Sequence, residues 1–383
     1  MNSHIAAITC CLVVSAIAVP NRALADPYAP INARMAQFVV ADEIPGAVTL
    51  VSQNGRVVHL GAVGYANLQA RIPLGPDAVF GIMSMTKPIT ATALLILVDE
   101  GKVALDVPVS KYIPAFADAK LKGGAPVESL TIRRLLTHTS GLGDKQDCVG
   151  SLEATAELLA KREFKFQPGT KWEYGPSINV IGRIIEIASG QPYETFLAER
   201  VFRPLGMSDT TFHLTPQLRG RLAKLYEKDK ATGKLKLAER RLGAGEPGAV
   251  PNPSGGLFST AADVHRFYSM ILAGGELDGH RIVSANAVKQ MTEVQTGDLV
   301  TGFTPGNGWG LGWCVVRKPE GITGMLSPGT FGHGGAYGTQ VWVDPVLKAV
   351  FLLMTQRSNF PNSDGSEVRK EFQRLAAAAL DQQ

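Results

Sequence analysis

The chain has 383 residues, 45% of them hydrophobic and 19% charged, enough to bury a sizeable core in one large domain or two ordinary ones. Its formal net charge of +4 is small for this length and its basic residues are scattered, which argues against nucleic acid as a partner.

The first 25 residues read as a signal peptide. Ile5 to Val19 is an apolar run followed by the small-residue pattern Ala23-Leu24-Ala25. The run is short for a bilayer span, so the expectation is export to the periplasm or medium rather than stable membrane insertion. One feature runs against it: the residues before the run include His4 but no Lys or Arg. Cys10 and Cys11 would leave with the leader. Cys148 and Cys314 remain, too few for a disulfide framework, and read as unpaired buried thiols.

The mature part, 26–383, reads as one domain. In "GAVTLVSQNGRVVHLGAVG" two β-branched runs flank Asn54-Gly55, the signal of a tight hairpin. Next comes "FGIMSMTKPITATALLILVDEG", with Ser84 three residues ahead of Lys87. Ile89 to Val98 is apolar almost all round, which marks a buried helix, with Gly101 as its stop. Pro88 has no N–H for the Ser84 carbonyl, so Ser84 belongs at or before the first turn, where free N–H groups favour negative charge. Spacing of three brings the Lys87 ammonium within reach of the Ser84 hydroxyl. A hydroxyl becomes a nucleophile once a neighbour takes its proton. Deprotonating an ordinary lysine at pH 7 costs about 4.6 kcal/mol, which burial can supply. Otherwise Lys87 stays charged and lowers the pKa of another base. The same four residues also fit a plain N-cap followed by a solvated lysine.

Helical periodicity continues through 131–137, 152–161, 178–189, 192–200 and 260–272. Tyr174 falls on the loop before the helix at 178–189, shaped by Gly175 and Pro176. A loop tyrosine there is either a packing residue or a general base activated by a neighbouring cation such as Lys87. Ser177 reads as a helix cap. Lys224 to Arg241 reads as a solvated loop or hairpin. Gly243-Ala244-Gly245-Glu246-Pro247-Gly248 matches the dinucleotide fingerprint by letter only, since it follows a charged loop and contains Pro247.

Near the other end, "GWGLGWCVV" and "FGHGGAYGTQVWVDPVLKAVFLLMTQ" read as three strands with a turn at Asp344-Pro345. Trp309 and Trp313 are expected on one strand face as core. Gly332, Gly334, Gly335 and Gly338 crowd one strand, a pattern left by close approach of another backbone or a ligand. An acyl group along that edge, near His333, would find one main-chain N–H of an oxyanion hole, with the other at Ser84. Val368, Phe372, Leu375, Ala376 and Ala379 space a last helix over 367–380. The class is α+β: an antiparallel sheet built from N- and C-terminal strands, flanked by helices, with an inserted all-helical region. Its α/β part covers about 26–83 and 275–383 and its helical part about 84–274. The seven histidines are dispersed, so no metal site and no cofactor are expected.

Three motifs in this order resemble the serine β-lactamase and penicillin-recognising superfamily: Ser84-x-x-Lys87, Tyr174 in "PGTKWEY", and His333-Gly334-Gly335. The likeness is to class C-like enzymes and family VIII carboxylesterases. "LLTHTSGL", "RPLGM" and "GGLFSTAADVHRF" agree, and the resemblance runs from about Met35 to Gln356. It implies a sheet flanked by helices beside an all-helical region. It also implies acylation at Ser84, proton transfer shared by Lys87 and Tyr174, and an oxyanion hole of the Ser84 and Ala336 N–H groups. Two departures matter. Pro176 stands where class C enzymes carry an amide, with Asn179 further on, and His333-Gly334-Gly335 replaces Lys-Thr-Gly. Loss of a permanent charge and a hydroxyl weakens the case for efficient β-lactam hydrolysis and favours neutral esters or amides. The expected function is therefore an exported serine hydrolase of carboxylic esters. The alternatives are a β-lactamase or D-amino-acid peptidase using the same residues, or a slowly acylating penicillin-binding-like module. Its partners would be small-molecule ester, β-lactam or peptide-like substrates.

Overall fold

The computed structural model describes residues 26–128, 130–144, 146–238, 248–302, 304–361 and 365–380. The predicted leader and most of the Gly243–Gly248 segment lie outside them. Among the described residues no helix is long and apolar enough to cross a membrane.

An eight-stranded sheet forms the centre. Its strands are β1 (Gly46–Gln53), β2 (Arg56–Asn67), β3 (Ile72–Pro73), β4 (Asn307–Trp309), β5 (Cys314–Val316), β6 (Phe331–Gly334), β7 (Gln340–Asp344) and β8 (Ala349–Met354). They lie in the order β4-β5-β6-β7-β8-β1-β2-β3, every neighbour antiparallel. The two ends of the chain meet at the β1–β8 pair, where Val48 faces Met354. Asn54 and Gly55 take positive φ of 51° and 77°, the left-handed pair that a tight β1–β2 hairpin requires. Five strands, not three, come from 307–354. Gly310-Leu311-Gly312 breaks the first predicted strand, with Gly312 at φ 82°, and the turn at 335–339 divides the next.

Both sheet faces are covered, and the period-2 alternation of the strands shows why. Val48 and Leu50 of β1, with Val350, Leu352 and Met354 of β8, enter the larger core. Ala47 and Val51, with Ala349, Phe351 and Leu353, enter the second. Trp313 lies in the first and Trp309 in the second, so the expected shared face is corrected by the intervening turn. Helices α1 (Ala29–Val40) and α10 (Glu367–Leu380) pack together over the second face.

The core on the other face takes in α2 (Thr86–Asp99), α3 (Ile132–Leu136), α4 (Leu152–Ala160), α5 (Ser177–Ser189) and α6 (Tyr193–Leu197). Helix α7 (Pro216–Gly220) packs in a small separate cluster with Val79 and Phe258, while α8 (Ala261–Leu272) and α9 (Ala285–Thr292) rejoin that core. Helix α2 is buried from Thr86 to Leu97 and packs on α5, α6 and α9. Its apolar circumference leaves it no solvent face. Lys228 and Lys236 sit on two short paired strands, Tyr226–Lys228 and Leu235–Leu237, as the hairpin reading expected.

Candidate active site

Ser84 is presented by the single 3₁₀ turn Met83–Met85 that leads into α2. Met83 holds φ 49°, a left-handed conformation that costs a non-glycine residue about 1 kcal/mol or more. The turn is held from below, for Ile82 N–H donates to Leu257 O at 3.0 Å. One turn on, Lys87 is 3% exposed. Its Nζ donates to Ser84 Oγ at 3.2 Å and to the Ser254 carbonyl at 2.6 Å, and lies 4.6 Å above the Tyr174 ring.

The Ser254 carbonyl does not reach Lys87 by accident of a loose loop. Ser254 N–H donates to Asn252 Oδ1 and Gly256 N–H to Asn252 O, folding the loop on itself. Thr90, one turn beyond Lys87 on α2, donates to Pro253 O at 2.8 Å and pins the loop to the helix. No sequence signal pointed to this carbonyl, because a backbone oxygen leaves no residue signature.

Tyr174 lies just ahead of α5, and its segment is fixed from the "LLTHTSGL" stretch: Glu173 N–H donates to the His138 carbonyl at 2.9 Å. The His138 ring packs on the Tyr174 ring at 4.5 Å. Burial raises the Tyr174 phenol above its usual range, partly offset by a hydrogen bond with Ser84, so it is neutral at pH 7. Ser177 is not the cap it was expected to be. The α5 N-cap is Pro176, and the Ser177 hydroxyl donates to Leu135 O at 2.7 Å and meets His138 Nδ1 at 3.2 Å. It ties α5 to α3 behind the site. Asn179 also points away, its Nδ2 donating to Gln146 O.

The fourth wall is β6. It pairs with β5 at only two positions, Phe331 and Gly332, so the edge at His333 and Gly334 is left open on that side. Gly335 N–H donates to Thr339 O, and a Cβ on Gly335 would collide with Thr339 Oγ1 and the Ile82 carbonyl. Glycine there lets the turn after β6 close on the Ser84 turn. The backbone N–H groups of Ser84 and Ala336 have no hydrogen-bond partner among the described residues. Arg369 of α10 donates to Gly335 O at 2.8 Å and Thr339 O at 3.1 Å, bracing this turn from the second face.

His333 is 5% exposed. Burial first, then the Lys87 charge, hold its imidazole down at about 3. His138 is likewise pushed well below the ordinary value by burial and by Lys87 and His333. Trp309 of β4 sits between them, its ring perpendicular to His333 at 5.6 Å and edge-on to His138 and Tyr174.

All seven residues singled out from sequence thus converge. Ser84, Tyr174, His333, Gly334, Gly335 and Ala336 line one cavity of about 260 Å³, and Lys87 is bonded to Ser84 at its wall. Sequence reasoning missed His138, Ser254, Trp309 as a site residue, and Arg369. Cys148 and Cys314 are both free, the first half-buried and the second buried in the cavity wall.

A family model described as Beta-lactamase matches residues 31–376. Esterase EstB of Burkholderia gladioli is 31% identical over 345 residues, 81% of this chain and 85% of that protein. Penicillin-binding protein 4 of Amycolatopsis lactamdurans is 31% identical over 315 residues, 78% and 76% of the two chains. Among solved structures, EstCE1, described as a hydrolase with promiscuous acyltransferase activity, superposes with a TM-score of 0.78 at 24% identity, covering 93% and 99%. An antiparallel sheet closed by both chain ends, the helical layer beside it and these likenesses lead to one statement: the chain belongs to the beta-lactamase family of serine hydrolases and is an enzyme.

Proposed function

We propose that the protein is an exported carboxylic-ester hydrolase that works through an acyl-enzyme on Ser84. The observation that carries this reading is the meeting of two proton-handling groups on one hydroxyl, Lys87 Nζ at 3.2 Å and the Tyr174 phenol, beside two free main-chain N–H groups. Before attack one proton leaves the Lys87–Tyr174 pair to solvent, giving a neutral Lys87 amine or a Tyr174 phenolate beside the Lys87 ammonium. Ser84 Oγ then attacks the ester carbonyl while its proton passes to that deprotonated member. The Ser84 and Ala336 N–H groups hold the oxyanion, each such donor being worth about 2.7–4 kcal/mol. The proton returns to the leaving alkoxide, and water then attacks the acyl-enzyme to release the acid and regenerate Ser84.

Preference for esters over β-lactams rests on His333. Held at about 3, it is uncharged at neutral pH and offers no permanent cation to a substrate carboxylate. EstB, named an esterase, supports the same reading. The leader at 1–25 would direct the chain out of the cytoplasm, and the mass of the protein recovered from periplasm or medium reads out its removal.

The assay is hydrolysis of p-nitrophenyl butanoate beside nitrocefin and a D-Ala-D-Ala peptide. Ser84→Ala should abolish ester turnover and leave no acyl adduct by intact mass. Lys87→Ala and Tyr174→Phe should each be severe, and the double variant little worse than either, because the three act as a unit. Undiminished turnover in Ser84→Ala would dispose of the nucleophile. A higher kcat/KM for nitrocefin or the peptide than for the ester would dispose of the substrate class.

A further inference from the structure

By register, Asn307 and Trp309 of β4, Gly332 and Gly334 of β6, and Gln340 and Trp342 of β7 share one face of the sheet. It is the face turned to α10, since Trp342 pairs with Phe351 of the second core. The two glycines leave this face hollow. A Cβ on Gly332 would strike Val341 O and the Trp342 ring, and one on Gly334 would press on the Arg369 guanidinium. Ile322 and Phe360 close the hollow, which is continuous with the cavity at Ser84.

The hollow has a near end and a far end. Gln340 stands opposite Gly334, next to the Ser84 turn, and Asn307 lies beyond the Trp309–Trp342 row on the other side. Four residues of strand separate the two levels, roughly 13 Å. Both carboxamides are buried, Asn307 at 3% and Gln340 at 5% exposure. Asn307 hydrogen-bonds to the Cys314 thiol, yet its Oδ1 and the Gln340 Oε1 have no partner among the described residues. A buried amide oxygen left unbonded is costly, and the terminal torsion of a carboxamide is broad enough to turn it to an occupant.

The leaving group decides which half of an ester enters. Its alkoxide is protonated from the Lys87–Tyr174 pair, so the leaving oxygen faces Tyr174. The next ring past Tyr174 is Trp309, 5.9 Å away, with His333 at 5.6 Å from the same indole. The alcohol half therefore passes Tyr174 into the part lined by Trp309 and Trp342. A cavity of about 150 Å³ holds benzene, so this one, at about 260 Å³, takes a single ring with a short linker and one substituent.

We propose that this hollow is the alcohol subsite and selects aryl alcohols whose hydroxyl donates to Asn307 Oδ1. The proposal rests on the ester-hydrolase reading of Ser84 and names its substrate class, the carboxylic esters of hydroxyaryl alcohols. The two indoles pack on the ring, and Asn307 reads the hydroxyl at the far end. A site that bonds a hydroxyl rejects the analogue lacking it, because its own polar group is then left unpaired.

Three acetates that share one acetyl-enzyme test this: 2-(4-hydroxyphenyl)ethyl, 2-phenylethyl and hexyl acetate. The first should exceed the second in kcat/KM by about tenfold or more, and the second should exceed the third. Asn307→Leu should bring the first ratio to within about threefold of unity, whereas Gln340→Met, at the near end, should leave it above about fivefold. Equal values for the first two acetates in the wild type overturn the proposal. So does a preference for hexyl acetate or for a monosaccharide acetate, or an equal loss in the two variants. Calorimetry of the free alcohols with Ser84→Ala removes the chemistry. There 2-(4-hydroxyphenyl)ethanol should bind at least about fivefold more tightly than 2-phenylethanol, and equal affinity, or no binding of either, overturns the subsite. Should Asn307→Leu fail to fold, as its Tm will show, the wild-type ratio and the calorimetry decide. Ester turnover that survives Ser84→Ala counts against the nucleophile, and the calorimetry still judges the subsite.

Discussion

Acidification should unfold this protein before most of its carboxylates are protonated. The cause lies in histidines buried in the neutral form. His333 is held at about 3 by burial and the Lys87 charge, and His265 at about 4 by burial and Arg266. His138 is displaced the same way. An unfolded imidazole titrates near 6.5. Below that value the unfolded chain takes up protons that the folded chain refuses, so stability is complete above about pH 6.5 and falls as pH drops toward the depressed values. Each group contributes at most about 1.4 kcal/mol per pH unit, so the step from 6.5 to 4.5 removes about 2–3 kcal/mol through His333. His265 removes about 2 kcal/mol more over the same step, being less completely buried. Asp263, whose carboxyl is raised by burial, opposes only part of this. A loss near 5 kcal/mol is a large share of the 5–15 kcal/mol that holds a typical domain. Urea unfolding followed by tryptophan fluorescence at pH 7.5, 6.5, 5.5 and 4.5 measures it directly. His265→Gln, remote from the cavity, should reduce the slope below pH 6.5 by about one proton. Stability that stays level from pH 7.5 to 4.5, or a slope that His265→Gln leaves unchanged, refutes the reasoning.

Three further outcomes are expected. Gly335→Ala forces a Cβ against Thr339 Oγ1 and the Ile82 carbonyl; it should lower stability by about 1–3 kcal/mol and kcat/KM for p-nitrophenyl butanoate at least tenfold, and wild-type values in both would show that the turn has room. Ser177→Ala strips a buried partner from Leu135 O and from His138 Nδ1 and should cost about 1–3 kcal/mol in urea unfolding, an idea a neutral result would end. The Cys314 thiol, pushed up to about 12 chiefly by burial, should resist a thiol-specific disulfide reagent in the native protein and react fully in denaturant; rapid native labelling at Cys314 would contradict its burial.

The fold class was legible because local patterns agreed with it. Asn54-Gly55 could only be a tight turn, and α2 declared its burial by being apolar on every side. The same periodicity placed α4, α5, α8 and α10 within a residue or two of where they lie. Helix α1 was missed although Ile31, Met35 and Phe38 carry the spacing of a buried stripe; the leader just before it obscured where the domain starts. Strands β4 and β5 were merged because glycine turns inside a glycine-rich run look like the strand itself. The site was legible wherever a side chain does the work. Ser84, Lys87, Tyr174 and His333 are reactive residue types at telling positions, but Ser254 contributes a carbonyl and His138 a packed ring. His333 Nδ1 also meets the next residue's carbonyl at 2.7 Å, a contact that no spacing rule records.

The pairing of β1 with β8 bears on how activity first arises. Ser84 and Lys87 share one local turn that can form early, but the strand that faces them, β6, is held in the sheet by β7 and β8, and β8 closes on β1 from the far end of the sequence. Contacts this distant along the chain form slowly, since loop closure is paid before the pairing rewards it. A chain still emerging from the ribosome therefore carries Ser84 and Lys87 without the strand opposite them. Hydrolytic competence should switch on late and all at once, with closure of the sheet.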